Sequence, residues 1–198
     1  MKPHPDYVEL QRLFPAVREY QRLASRHGIN DVFQDNGGKI LQVLLLTGLV
    51  RLPGRKGNDA KDETGREYEL ESVNIALRNV FTTHHHMNPR IVAKYRQVGW
   101  VFAIYDGIEL QEVYLLEPSQ LDPFFTAWEK TWHGSGGRDI NNPKIPVKFV
   151  RANGRPIFVA PSVDAPAKVG PTPAVSVEAP PTLSPAKALR QRRKPPNA

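Results

Sequence analysis

The chain has 198 residues, 40% hydrophobic and 24% charged, and contains no cysteine, which excludes a disulfide framework, a thiolate zinc site and a cysteine nucleophile. No run of about 18 apolar residues exists to cross a membrane, and the polar start from Met1 to Tyr7 lacks an apolar signal core, so the cytoplasm is the expected compartment. The net charge of +7 invites an anionic partner such as a nucleic acid.

Asp6 is placed to cap a helix from Tyr7, with Val8, Leu10, Leu13 and Phe14 on or near one face. Pro15 permits a second helix start, after which Val17, Tyr20, Leu23 and Ala24 recur at three- and four-residue steps until Gly28. Residues 37–48 are apolar almost all round, which predicts a buried helix ending at Gly48. Asp62 to Gly65 reads as a turn, and Arg66 to Asn74 as a strand alternating around Tyr68, Leu70 and Val73. Asn88-Pro89 is an N-cap followed by proline at the first helical position, and Ile91, Val92 and Tyr95 keep helical spacing. Trp100 to Tyr105 predicts a strand, Asp106-Gly107 a hairpin turn, and Ile108, Leu110 and Val113 to Leu116 the returning strand. Asp122-Pro123 predicts another helix with Phe124, Phe125, Trp128 and Trp132 as its apolar stripe. Asn153-Gly154 predicts a second hairpin between Val147–Val150 and Ile157–Val159. This order of elements, without internal repeats, predicts an α/β (mixed α+β) domain with a central sheet over residues 1–160.

Residues 161–198 differ in composition. They hold nine of the 19 prolines, six basic and two acidic residues and no aromatic one. Such a segment cannot bury enough apolar surface to offset the entropy of ordering, so a disordered, Pro-rich basic tail is expected. Its basic run, Arg190 to Lys194, suits phosphate attraction and equally a solvated end without a task.

Asp59 precedes the turn, and Glu69 and Glu71 follow it. Residues two apart on a strand share a face, so Glu69 and Glu71 project together while the turn returns Asp59 toward Glu69. Clustered carboxylates suit Mg²⁺, a hard cation that takes oxygen ligands; the same spacing also describes an ordinary solvated acidic strand face. In His84-His85-His86, neighbouring imidazoles on a strand would point to opposite faces, which disfavours one shared metal ion. They can instead donate and accept at base edges, or form a polar loop. Asn141-Asn142 can read adenine or form a turn before Pro143.

These features occur in long unusual strings: HGINDVFQDNGGK, GNDA, YELES, TTHHHMNP, AKYRQV, VFAIYDGI and DINNPKIPVK. From about His4 to Phe158 the chain resembles the PvuII family of type II restriction endonucleases, within the PD-(D/E)xK nuclease superfamily. The resemblance implies a restriction-endonuclease-like sheet flanked by helices, in a homodimer that grips double-stranded DNA, with residues 6–27 at the dimer interface. It implies Mg²⁺, with Mn²⁺ able to substitute, held by Asp59, Glu69 and the carbonyl of Leu70. It places Asn141, Asn142, His85 and His84 at base edges, His86 in a supporting role, Thr82 as a hydroxyl in the same loop, Asp35 at the minor groove and dimer junction, and Tyr95 close to the metal. The implied target is CAGCTG, cut to blunt ends, with a DNA methyltransferase as functional companion. One residue departs: the family's catalytic lysine belongs at Glu71. A glutamate there reverses the local charge by two units. Either Glu71 takes part as a base or second-metal ligand, or the protein binds DNA with cleavage impaired.

Overall fold

The centre of the molecule is the apolar run expected as a strand. In the computed structural model, which describes residues 4–53 and 58–161, Gly99–Asp106 is an eight-residue strand whose residues are buried up to Tyr105. Helices α1 (Asp6–Arg26) and α2 (Gly37–Thr47) precede the short strands β1 (Val50–Arg51) and β2 (Ala60–Lys61), then β3 (Glu67–Asn74) and β4 (Val80–Thr82). Helix α3 (Pro89–Tyr95) leads into β5, the central strand, followed by β6 (Glu109–Leu116), α4 (Pro118–Gly134), β7 (Lys144–Pro146), α5 (Val147–Asn153) and β8 (Arg155–Val159). The fold is mixed α+β. The six-stranded sheet has the order β1-β2-β3-β5-β6-β8, and β4 pairs with β7 in a separate two-stranded sheet. Only the β3–β5 pairing is parallel, aligning Glu69 with Trp100 and Glu71 with Phe102. The tail expected beyond residue 160 falls, from Ser162 on, outside the described residues.

Alternation along β5 builds two cores. Trp100, Phe102 and Ile104 join a cluster with Tyr95, Leu121, Phe125 and Ile145 on one face. Val101, Ala103 and Tyr105 join another with Ala24, Leu41 and Leu44 from α1 and α2. Burying each large side chain contributes about 1.5–3 kcal/mol, so β5 is the rigid base from which its neighbour β3 is held.

Four expectations change in detail. Residues 6–26 form one helix, with Pro15 inside it and no side-chain cap from Asp6. Proline removes one intrahelical hydrogen bond, here to the carbonyl four residues back, and the long helix survives that loss. Helix α4 starts at Pro118, because Glu117 and Gln120 form a reciprocal capping box; Asp122 instead accepts from Arg96 at 2.9 Å, tying α4 to α3. Val147 to Val150 are helical: Val147 and Val150 are buried one turn apart, and the Gly154 N–H closes the helix on the Val150 carbonyl at 2.7 Å. Gly154 is needed for space, since a Cβ there would stand 2.7 Å from Leu116 Cδ1. Helix α2 is not buried all round, because Leu45 and Leu46 are 49% and 40% exposed. The buried positions of α2 are Gly37, Leu41, Val43 and Leu44.

Candidate active site

Two strands and one turn assemble the carboxylates. Asp62 accepts from the N–H groups of Thr64 and Arg66 at 2.9 and 3.0 Å, which fixes the turn between β2 and β3. Pairing of Ala60 with Tyr68 then returns Asp59 to the flank of β3, where its N–H donates to the Tyr68 carbonyl at 3.0 Å. The Asp59 carboxylate in turn accepts from the Leu70 N–H at 2.9 Å. Glu69 and Glu71 project to the face that carries Trp100 and Phe102, whereas Tyr68 faces the other core. The Tyr95 hydroxyl, at the end of α3, donates to Glu69 Oε1 at 3.0 Å. Asn88 places that helix: its side chain accepts from the Ile91 N–H, as its sequence signature predicts.

The three carboxylates are not a solvated strand face. Burial pushes the Asp59 carboxyl above its usual value, and the Leu70 N–H and the charge of Arg51 pull it back only in part. Burial, then the charge of Asp59, pushes Glu69 up to about 8, against the Tyr95 hydrogen bond. Glu71 is driven well above the carboxylate range by burial and then by the charges of Glu69 and Asp59. Tyr95 is raised as well, by burial and then by Glu69. Glu69 Oε2 is buried without a hydrogen-bond partner. Among the described residues no three His, Asp or Glu side chains converge in metal-holding geometry. The implied ligand set is two carboxylates and a carbonyl, however, and an orphaned carboxylate oxygen amid mutually repelling charges fits a hard cation.

Asp35, Asp59, Leu70, Glu71 and Thr82 line one cavity of about 250 Å³, which also contains Lys39. Asp59, Glu69, His84 and Tyr95 line a second of about 840 Å³, with Lys94 and Arg66 on its walls. Asp59 is common to both. His84 therefore stands on the carboxylate side. His84 to His86 occupy a turn after β4 rather than a strand, with the His86 N–H donating to His84 Nδ1 at 3.0 Å. Burial, followed by the neighbouring His86 and His85, lowers the His84 pKa, which favours a neutral ring. His85, Asn141 and Asn142 line neither cavity; they lie on two neighbouring loops. Among the described residues, the non-glycine residues with left-handed backbone are Asp35, Asn36 and Asn142. Aspartate and asparagine tolerate this conformation best among non-glycine residues, which suits the turns these residues occupy.

A family model described as restriction endonuclease PvuII matches residues 5–158. The chain belongs to the PvuII restriction endonuclease family. Membership makes DNA the expected class of substrate, and no helix among the described residues is long and apolar enough to cross a membrane. The Glu71 backbone lies in register with Phe102 on the neighbouring strand β5. Sequence reasoning passed over Arg51, the cation whose charge reaches Asp59. It also passed over Asp139, which Asn88 and Trp132 approach beside the His84–His86 and Asn141–Asn142 loops. No local signal marks Arg51, because it approaches Asp59 through the long-range β1–β2 pairing.

The raised Glu69 pKa carries a stability expectation. The native state holds the Glu69 proton up to about pH 8, whereas an unfolded carboxyl releases it near its ordinary value of 4.5. Native protein then binds more protons than unfolded protein across that window, so stability falls as pH rises through it. Metal-free wild type is expected to lose melting temperature between pH 5.5 and 8 relative to Glu69→Gln. Thermal unfolding in EDTA measures this; parallel profiles for the two proteins would refute it.

Proposed function

We propose that this protein is a Mg²⁺-dependent type II restriction endonuclease that acts as a homodimer on CAGCTG and leaves blunt ends. The observation that carries this reading is the buried group of Asp59, Glu69 and Glu71, with one Glu69 oxygen lacking a partner, in a chain of the PvuII family. Asp59, Glu69 and the Leu70 carbonyl would hold Mg²⁺ or Mn²⁺. When bound, the ion would neutralise charge developing on the scissile phosphate and make a water acidic enough to attack.

The chain's own residues supply the remainder. The Leu70 N–H orients Asp59, and the Tyr95 hydroxyl orients Glu69, leaving Glu69 Oε2 available. Glu71 accepts a proton at its carboxylate from the attacking water, or helps hold a second cation; its raised affinity for a proton suits the first role. Asn141, Asn142, His85 and His84 read base edges in the major groove, Thr82 contributes its hydroxyl from the end of β4, and Asp35 works at the minor groove. A methyltransferase would protect host DNA.

A second reading follows from one substitution. The positive charge that the family places at residue 71 is replaced by a negative one, so the protein could bind CAGCTG without efficient cleavage. Incubation of plasmid carrying one CAGCTG site with Mg²⁺ or Mn²⁺ separates the readings. Linear product with blunt ends supports the nuclease; retained supercoil with site-specific binding supports the second.

The homodimer has its own support. Val8, Leu10, Leu13 and Phe14 on α1 are exposed, Val8 by 75%. A two-fold dimer would cover them and match the symmetry of a palindrome. Light scattering at micromolar concentration is expected to give twice the subunit mass. Leu13→Lys with Phe14→Glu is expected to shift it to one subunit mass.

A further inference from the structure

The turn with His84 to His86 and the loop with Asn141-Asn142 are fastened to one another at both ends. Beyond the Thr82–Lys144 pair of β4 and β7, the Thr83 N–H and hydroxyl both donate to the Pro143 carbonyl, at 3.1 and 3.0 Å. On the far side, Met87 and Ile140 exchange two backbone hydrogen bonds of 2.9 Å. Between these ties, His84, His85 and His86 stand opposite Asn141 and Asn142, three residues against two. Such a mismatch bulges a ladder and aims side chains away from it.

One step further, side chains continue the tie. The Asp139 carboxylate faces Asn88 Nδ2, 3.4 Å from each oxygen, and accepts from Trp132 Nε1 at 3.2 Å. Asn88 Nδ2 also donates to the His86 carbonyl at 3.2 Å, while its oxygen caps α3. Trp132 links this arrangement to α4. The Gly137 N–H donates to the Trp132 carbonyl at 3.0 Å, and a Cβ at Gly137 would lie 3.3 Å from the Trp132 ring, on a backbone with φ +84°. The segment from 134 to 139 is thereby folded back on α4, and Asp139 emerges beside Asn88. Neither Asp139 nor Trp132 belongs to the carboxylate site or to the base-reading set.

We propose that Asp139 is a positioning residue for sequence discrimination: its carboxylate, clasped by Asn88 and Trp132, sets the separation of the His84–His86 and Asn141–Asn142 loops. The inference rests on the base-reading roles proposed above. Base-edge hydrogen bonds require donors and acceptors placed within about 0.5 Å. Asn142 adopts the left-handed conformation, φ +49°, which asparagine tolerates, so the turn before Pro143 gives this loop a defined backbone. Loosening the clasp leaves the backbone ties intact and removes no cation. It therefore weakens base-specific contacts and spares phosphate attraction.

The test compares binding of full-length protein to CAGCTG and to single-base variants at one salt concentration, with melting temperature measured alongside. The variants are Asp139→Ala, Asp139→Asn, Trp132→Phe and, as the probe of base reading itself, Asn141→Ala. Asp139→Ala is expected to lower the preference for CAGCTG about tenfold, close to the loss of one or two hydrogen bonds. Asp139→Asn retains an oxygen acceptor and is expected to recover most of it; Trp132→Phe falls between. Unchanged preference in Asp139→Ala overturns the proposal. So does equal loss on both duplexes accompanied by a lower melting temperature, which would mark a merely structural role. If Asp139→Ala fails to fold, an unchanged preference in Trp132→Phe overturns it in the same way. A wild type without preference, or Asn141→Ala that keeps it, removes the base-reading roles and the clasp with them, a result distinct from failure of the clasp alone.

Discussion

Asp59→Ala is expected to lower cleavage by at least about 10³-fold while leaving the preference for CAGCTG in place. Each factor of ten corresponds to about 1.4 kcal/mol of transition-state stabilisation, and a lost metal ligand forfeits several kcal/mol. Asp59 lines both cavities, beside Glu71 in one and Glu69 in the other. The fold should tolerate the change. Asp59 loses more by burial than its hydrogen bond from Leu70 and the charge of Arg51 return, which its raised pKa records. Removing it deletes an uncomfortable charge and leaves the Leu70 N–H without that acceptor, at a cost of about 1–3 kcal/mol. Asp59→Asn keeps an acceptor for Leu70 and should also abolish cleavage, which separates ligand loss from local damage. The readouts are single-turnover cleavage, duplex binding and the rise in melting temperature with Mg²⁺. That rise should vanish in both variants, since stabilisation by a ligand follows its affinity for the native state. Full cleavage by Asp59→Ala would place the chemistry elsewhere.

What could be read in the sequence was what short-range chemistry decides. Asn88-Pro89 caps α3 and Asp106-Gly107 turns β5 into β6, because cap and turn geometry depend on the residues themselves. The turn at Asp62–Gly65 is equally local, and it sufficed to return Asp59 toward Glu69. The misread elements turn on competition between signals. Asp122-Pro123 resembles a helix start, yet Glu117 and Gln120 form the stronger start upstream, and Asp122 serves Arg96. Val147 to Val150 fit strand and helix alike at that length; burial of Val147 and Val150 decided for the helix. The depth of the carboxylates was not legible at all. Periodicity gives the face of a strand but not what covers it, and here Tyr95 and Trp100 arrive from α3 and β5. Base-reading and catalytic assignments came from the resemblance, which carries the family's arrangement and not the consequence of Glu71.

Glu71→Gln and Glu71→Lys are expected to part company, and their order decides what the departure means. Glu71 stands among two other carboxylates in a buried setting, and its own pKa is pushed far up. Gln keeps the shape and removes the ability to take a proton or to bear charge. If Glu71 accepts the proton of the attacking water, Glu71→Gln should cut the rate by about 10²–10⁴-fold. If it holds a cation instead, the same variant should also show a smaller Mg²⁺-induced rise in melting temperature. Lys inverts the electrostatics. It would stand as a cation beside Asp59 and Glu69, lower their pKa values, and compete with a divalent ion for the same charge. In a site that works with glutamate, Glu71→Lys therefore loses cleavage as well. In a site still built for lysine, it restores the family's charge and cleavage rises above a weak wild type. We expect the first pattern, both variants below wild type. The buried Glu69 oxygen without a hydrogen-bond partner and the mutual repulsion of the three carboxylates fit the proposed cation at this site. Single-turnover rates of the three proteins on one CAGCTG duplex, with melting curves in EDTA and in Mg²⁺, give the answer. A rate unchanged in Glu71→Gln would take Glu71 out of the mechanism, and a rate raised in Glu71→Lys would make it a lesion in an otherwise intact nuclease.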